Sequence, residues 1–436
     1  MRSRGWHLRG EAALAVAVLV AALWYLSQML PRAPFQGDES STIWSARYFD
    51  RLRAPRNRAW RDNYWTHTQP MLARYVIGGW LKARGYDPVH LPGLSRPYDW
   101  SDSLDENRRR GRVPDDALLA EARAPMALFA ASAVALLYLL GRALGGPVAG
   151  LTTAALTLGS EPVCRELVAA TKEAPFVFFA VLGLLLGVLG ARPGSGDLSP
   201  GRAAVLGLVL GLALATKLTA GLSLVAVLGW AVLVAVAAAR RRGPNLQRPT
   251  WSRAWAAGRG WALAVAVSLG VFVLSNPHLY RNPLLHTAHL IRNRVAEMRV
   301  QQEVFPEQAL HDPLDRASYL LSGSLVQLTL SGSHGLPLEA VLAPLGAAAL
   351  LLGGWRRWRS TGRPPAEGLV LLTVLAYFGG VGADLGLAWD RYLLPTALIG
   401  ALLSGLGASA IVRRFLILGT RLRGARPLLW TMEPGA

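Results

Sequence analysis

Residues 203–239 read AAVLGLVLGLALATKLTAGLSLVAVLGWAVLVAVAAA, and Lys217 is the only ionisable side chain among them. A helix needs about 20 apolar residues to cross the roughly 30 Å hydrocarbon core of a bilayer. The stretch therefore divides into a short apolar run, 203–216, and a full one, 219–239, with the lysine at their junction. Arg240, Arg241 and Arg242 close it. A segment this long and this free of charge reads as membrane-embedded.

Comparable runs occur on either side, at about 12–30, 124–141, 147–160, 174–191, 259–275, 337–354, 368–386 and 392–412. Together they predict an all-α polytopic membrane protein of about ten transmembrane helices, with residues 1–436 forming one integral membrane domain. Runs 147–160 and 203–216 are short enough to be tilted or half-buried. The first run follows Arg2, Arg4 and Arg9, as the core of a signal peptide would. Pro31-Arg32-Ala33-Pro34 is a poor cleavage site, so a retained first helix is expected.

Composition agrees. The chain is 52% hydrophobic and 17% charged, against about 25% charged in soluble domains. So high an apolar content also excludes disorder. The formal net charge of +19 would ordinarily suggest nucleic acid or an anionic surface. Its distribution gives a different reading. With the N-terminus taken as cytoplasmic, the loops and tails on that side carry 21 arginines against Glu11, Asp197, Glu367 and Glu433, leaving 25 bases and 23 acids elsewhere. The excess is an orientation signal of the positive-inside kind. It predicts a multi-pass protein of the cell (plasma or inner) membrane, with both termini cytoplasmic and no nucleic-acid partner. The one cysteine, Cys164, excludes an internal disulfide and a thiolate metal site.

Two long segments fall on the opposite, extracytoplasmic side: a first loop over 31–123 and a second over 276–336. The first is too long for a connector. Asp38-Glu39-Ser40-Ser41 marks a helix start with acids at the positive end of the dipole, and Ile43, Ala46, Tyr48 and Phe49 give that helix an apolar side. An amphipathic helix at the membrane surface is expected there. Residues 71–81 are apolar but too short to span, and 86–116 are turn-rich and read as irregular.

Ionisable groups at membrane level are candidates for function. On the outer side these are Asp38 and Glu39 after the first span, Arg165 and Glu173 between the third and fourth, Lys217 at its junction, and Asp390-Arg391-Tyr392 before the last span. His67, within Thr66-His67-Thr68-Gln69-Pro70, joins them. Singly each has an ordinary explanation: a helix cap, a snorkelling lysine, an interfacial anchor. Together they converge on one side. Zinc-peptidase, P-loop and dinucleotide motifs find no positive support, so no nucleotide cofactor is expected; a divalent metal stays open.

The order of GDESSTIWSARYF, THTQPMLARYVIG, ATKEAPFVFFAVLGLLLG, LGLALATKLTAGLSL, LSNPHLYRNP and WDRYLLP resembles the polyprenyl-phosphate-dependent glycosyltransferases of the GT-C class. These include protein O-mannosyltransferases (glycosyltransferase family 39) and the enzymes that add aminoarabinose to lipid A. The resemblance runs over about residues 8–412. It implies an acidic pair as the active site, hence Asp38 and Glu39 as catalytic candidates, and it matches Lys217 and the Arg391-Tyr392-x-x-Pro395 element. The family's His-Pro-Pro-Leu element stands here as His67-Thr68-Gln69-Pro70.

Physical chemistry fits that resemblance. A lipid-linked sugar phosphate needs an apolar groove for its tail and cations for its phosphate, for which Lys217, Arg165 and Arg391 are candidates. An inverting transfer needs a carboxylate to take the acceptor's proton. His67, Glu173, Asp390 and Tyr392 are further substrate-binding candidates. The expected partners are a polyprenyl-phosphate sugar donor, the lipid bilayer, and a lipid, glycan or protein acceptor. The alternative is a multi-pass transporter or lipid flippase without covalent chemistry.

Overall fold

The structure, a computed structural model, describes residues 2–60, 64–191, 198–240, 250–329 and 338–422. Among them, eight helical segments are long and apolar enough to cross a membrane: Gly10–Met29, Asp116–Gly145, Glu173–Gly190, Leu218–Arg240, Trp251–Leu274, Leu338–Thr361, Glu367–Asp384 and Asp390–Gly419. Two shorter apolar helices, Pro147–Gly159 and Pro200–Thr216, accompany them. These ten elements coincide with the ten apolar runs, and the two short ones are the two that were short in sequence.

The first long helix is α1 (Arg2–Met29). The segment after it folds as α2 (Gly37–Trp44), α3 (Tyr48–Arg51), α4 (Tyr64–Thr68), α5 (Leu72–Ala83) and α6 (Leu104–Arg109). Then come α7 (Asp116–Gly145), α8 (Pro147–Gly159), α9 (Glu161–Val168), α10 (Glu173–Gly190), α11 (Pro200–Thr216), α12 (Gly221–Arg240) and α13 (Thr250–Leu274). The second long connection holds α14 (Pro283–Val304) and α15 (Pro313–Ser322). The chain re-enters the bundle through α16 (Leu338–Thr361), α17 (Glu367–Asp384) and α18 (Asp390–Leu422). Residues 330–337, where the second long segment was expected to end, lie outside the described residues.

Local chemistry sets the boundaries. The Asp115 carboxylate accepts from the Leu118 amide at 2.7 Å and starts α7. Gly146, at φ +86°, ends it, and Pro147 opens α8 at once. Where α16 and α18 cross, Gly346 and Gly407 face each other's backbones so closely that a Cβ at either would collide with Leu403 or Leu342. Small residues at such a crossing are what close helix packing in a bilayer requires.

The two connections build one end of the bundle. Ile43, Ala46 and Tyr48 are fully buried, and Gly78 lets α5 approach the Ala46–Phe49 backbone closely. The apolar side of the amphipathic segment is therefore covered by α5. The stretch 86–116, which reads as irregular, is tied down by Arg112 to Asp99 (3.1 Å) and Asp102 (2.7 Å). The second connection is anchored by a short bridge, in which Leu310 donates to Gly386 (2.9 Å) and Ala388 donates to Gln308 (2.8 Å). That bridge leads directly into the N-terminus of α18.

Candidate active site

α2 begins where Gln36 turns the chain, its amide donating to Glu39 at 3.0 Å. The first turn then carries two adjacent carboxylates with different surroundings. Glu39 is fully buried. Its Oε1 accepts from Arg123 Nε (2.7 Å) and the Ala170 amide (2.7 Å), and its Oε2 from Arg123 Nη2 (2.7 Å) and Gln36. Arg123 spends its other N–H groups on the Leu30, Ala33 and Pro34 carbonyls. This clasp ties α2 and α7 to the chain just after α1 and to the turn between α9 and α10, and neither Glu39 nor Arg123 lines the cavity described next.

Asp38, one-third exposed, opens onto a cavity of about 1030 Å³ and pairs with Arg391. Arg391 comes from the first turn of α18 and lies over the Trp389 ring, 4.2 Å from its centroid. Around this pair the cavity is polar, with Gln69, Lys172, Glu173, Lys217, Arg294, Glu297, Asp384 and Tyr392 in its wall. Away from it the wall is apolar, through Leu222 on α12, Leu269 and Val273 on α13, and Leu284, Ile291 and Val295 on α14. The volume lies at the upper end of small-molecule sites, large enough for more than one sugar.

Lys217 sits where α11 stops: at φ −150° and ψ 133° it is extended, and the chain resumes as a tight turn before α12. Its ammonium is bound by both oxygens of Glu173, at 2.9 and 2.8 Å. Arg294 is likewise engaged, by Glu297 at 2.6 Å and by the Tyr392 hydroxyl at 3.1 Å. Tyr64 donates to the other Glu297 oxygen. Lys172 differs from these cations. Its Nζ donates to Gln69 Oε1 at 2.5 Å, and among the described residues no carboxylate pairs with it. Burial, with Arg294 nearby, lowers its pKa from 10.5 to about 7.

Of the residues singled out in sequence, Asp38, Glu173, Lys217, Arg391 and Tyr392 come together around one cavity. Glu39 is in the buried clasp. Arg165, on α9, pairs with Glu161 one turn away and does not line the cavity. Asp390 is exposed and accepts from the Tyr319 hydroxyl at 3.2 Å. The His67 ring lies 5.9 Å from that of His278, also outside the cavity. Lys172, Arg294 and Glu297 were not singled out. Lys172 precedes the acidic start of a long apolar run, which was a usable signal; α14 offered none. Among the described residues no three His, Cys, Asp or Glu side chains are grouped to hold a metal ion.

Residues 117–248 match the family model described as dolichyl-phosphate-mannose-protein mannosyltransferase. Among solved structures, the chain is similar to ArnT from Cupriavidus metallidurans bound to undecaprenyl phosphate, with TM-score 0.51 and 17% identity over 95% of this chain and 64% of that one. It is also similar to the oligosaccharyltransferase AglB from Archaeoglobus fulgidus in complex with an inhibitory peptide and a dolichol-phosphate, with TM-score 0.52 and 16% identity. That match covers 95% of this chain and 52% of that one, so this chain spans about half to two-thirds of the length of these neighbours. Comparison with curated proteins gave no match. The chain thus has the fold of the GT-C glycosyltransferases.

Proposed function

We propose that this protein is a membrane glycosyltransferase that moves a sugar from a polyprenyl-phosphate donor to an acceptor on the extracytoplasmic side, with inversion at the anomeric carbon. The observation that carries the reading is a solvent-reached carboxylate, Asp38, sharing one cavity with a long apolar wall and with Lys172, which no carboxylate pairs among the described residues. The ligands of ArnT and AglB, undecaprenyl phosphate and dolichol-phosphate, have the matching chemistry of an anionic head on an isoprenoid tail. The positive-inside distribution of arginine supports the outer orientation of the cavity and cytoplasmic termini.

In this reading the tail lies along α12, α13 and α14, and the phosphate meets Lys172, with Lys217 and Arg391 adding positive field. Asp38, oriented by Arg391, accepts the proton of the acceptor hydroxyl as its oxygen bonds to the anomeric carbon. The bond from that carbon to the phosphate oxygen breaks on the opposite face, and the electron pair leaves on polyprenyl phosphate. The fixed cations stabilise the charge that develops there. Glu39 is a positioning residue: its clasp holds α2 so that Asp38 faces the cavity.

The test is reconstitution of the full chain with a polyprenyl-phosphate sugar and cell-envelope extract as acceptor source. Glycosylated product and free polyprenyl phosphate should appear in equal amounts, and Asp38→Asn should abolish both. Movement of intact donor across the bilayer with no cleavage would favour the flippase reading.

A further inference from the structure

A second cavity, of about 240 Å³, lies beside α4 at the same end of the bundle. Its walls are Arg56, Asn57 and Trp60 from the first long connection and His278, Tyr280 and Arg281 from the turn after α13. Helix α4 separates it from the large cavity. Tyr64, Trp65 and Thr68 line the large one, while the His67 ring packs beside His278.

The lining is one-sided in charge. Two exposed guanidinium groups face the space, and among the described residues no acidic side chain lines it and neither arginine has an ion-pair partner. At the wall sits His278, only 4% exposed, and neither ring nitrogen has a hydrogen-bond partner among the described residues. Burial, with His67, His286 and Arg74 nearby, lowers its pKa to about 3, so the ring is neutral and offers one N–H donor. A buried polar group without a partner is costly and calls for an explanation, of which a missing ligand is one. Asn57 adds donors: its Oδ1 accepts from the Ala59 amide at 2.9 Å, which leaves the side-chain N–H groups to point elsewhere. Trp60 adds none, because its Nε1 already donates to Ala54.

A set of donors with two guanidiniums and no carboxylate is suited to an oxyanion of phosphate geometry. The volume fits a headgroup and is too small for a lipid-linked sugar. Arg281 stands seven residues beyond Leu274, where α13 ends, so the cavity lies close to where the chain leaves its span. We propose that this cavity is a second anion site that binds a phosphate group, supplied by a phospholipid headgroup or as free phosphate, between Arg56 and Arg281 with the His278 N–H inside. The site is separate from the donor phosphate position at Lys172, and its occupancy does not depend on sugar transfer.

The test uses delipidated full-length protein carrying Lys172→Met, so that the large cavity contributes little anion binding. Inorganic phosphate forms one arm, phosphatidylglycerol a second and phosphatidylcholine, whose headgroup has no net charge, a control. Binding is read by titration calorimetry and by the rise in unfolding midpoint. Saturable binding in either of the first two arms, weakened tenfold or more by Arg56→Gln with Arg281→Gln, is the expected result, and the arm that binds identifies the source. Both arginines are exposed, so the ligand-free midpoint should stay put and certify the fold. Equal binding by parent and double variant, or no binding in either arm, would overturn the proposal.

Discussion

Asp38 and Glu39 are neighbours on one turn of one helix, and they live in opposite environments. Successive helical residues point about 100° apart, so one carboxylate reaches the cavity and the other the protein core. Glu39 has four donors on its two oxygens and no exposure. Asp38 has one cationic partner and a third of its side chain open. In the proposed reading the difference divides the labour of an acidic pair: one acid fixes the backbone geometry that the other exploits. A clasp must be satisfied to be stable, whereas a base must keep room for a substrate.

Asp38→Asn tests the open half and carries the largest expected effect. It should lower turnover by about 10²–10⁴-fold, the range lost when a general base is removed. The unfolding midpoint should stay within a few degrees, because the side chain is partly solvated. Turnover near the parent's level would remove Asp38 from the chemistry and dissolve the division between the two acids.

Glu39→Ala tests the closed half. Truncating one member of a buried ion pair strands the other, here a fully buried guanidinium, at a cost of about 3–5 kcal/mol. Denaturant unfolding should show a loss of that size, with the double variant Glu39→Gln, Arg123→Met recovering part of it. A stable Glu39→Ala protein with abolished turnover would reverse the roles assigned here.

Much of the fold was legible in the chain, because a lipid-spanning helix is a local property of about 20 residues. The runs at 124–141, 174–191 and 219–239 needed no knowledge of their neighbours. The two short runs at 147–160 and 203–216 also announced themselves. The site was legible only in part, because pairing is not local. Lys217 meets Glu173 across 44 residues and Arg123 meets Glu39 across 84. Nothing near Lys217 in sequence says that a carboxylate already holds it, and nothing near Lys172 says that none does among the described residues. Helix α14, mixed in polarity all round, gave no apolar run to mark it, so Arg294 and Glu297 passed unnoticed.

Lys172→Met sharpens the contrast between engaged and available cations. A hydrogen bond to a charged group is worth about 1.5–3 kcal/mol, so the dissociation constant of the donor should rise about 10- to 100-fold. The pH dependence gives a second readout. With its pKa lowered to about 7, the free enzyme holds the ammonium below that pH and loses it above. Donor binding, which needs the ammonium, should therefore weaken as pH rises from 6 to 9, and binding should take up a proton in the upper part of that range. In Lys172→Met the slope should vanish. A parent protein whose donor affinity is flat from pH 6 to 9 would point to Lys217 or Arg391 as the phosphate partner instead.

Arg165→Gln should do least. Arginine near the membrane is an attractive phosphate ligand on chemistry alone, but Arg165 sits on the exposed face of α9 with Glu161 beside it. Exposed pairs of this spacing contribute little to stability. Both donor affinity and the unfolding midpoint should match the parent within twofold and a degree or two. A tenfold loss of donor affinity would mean that α9 turns its polar face toward the donor during turnover.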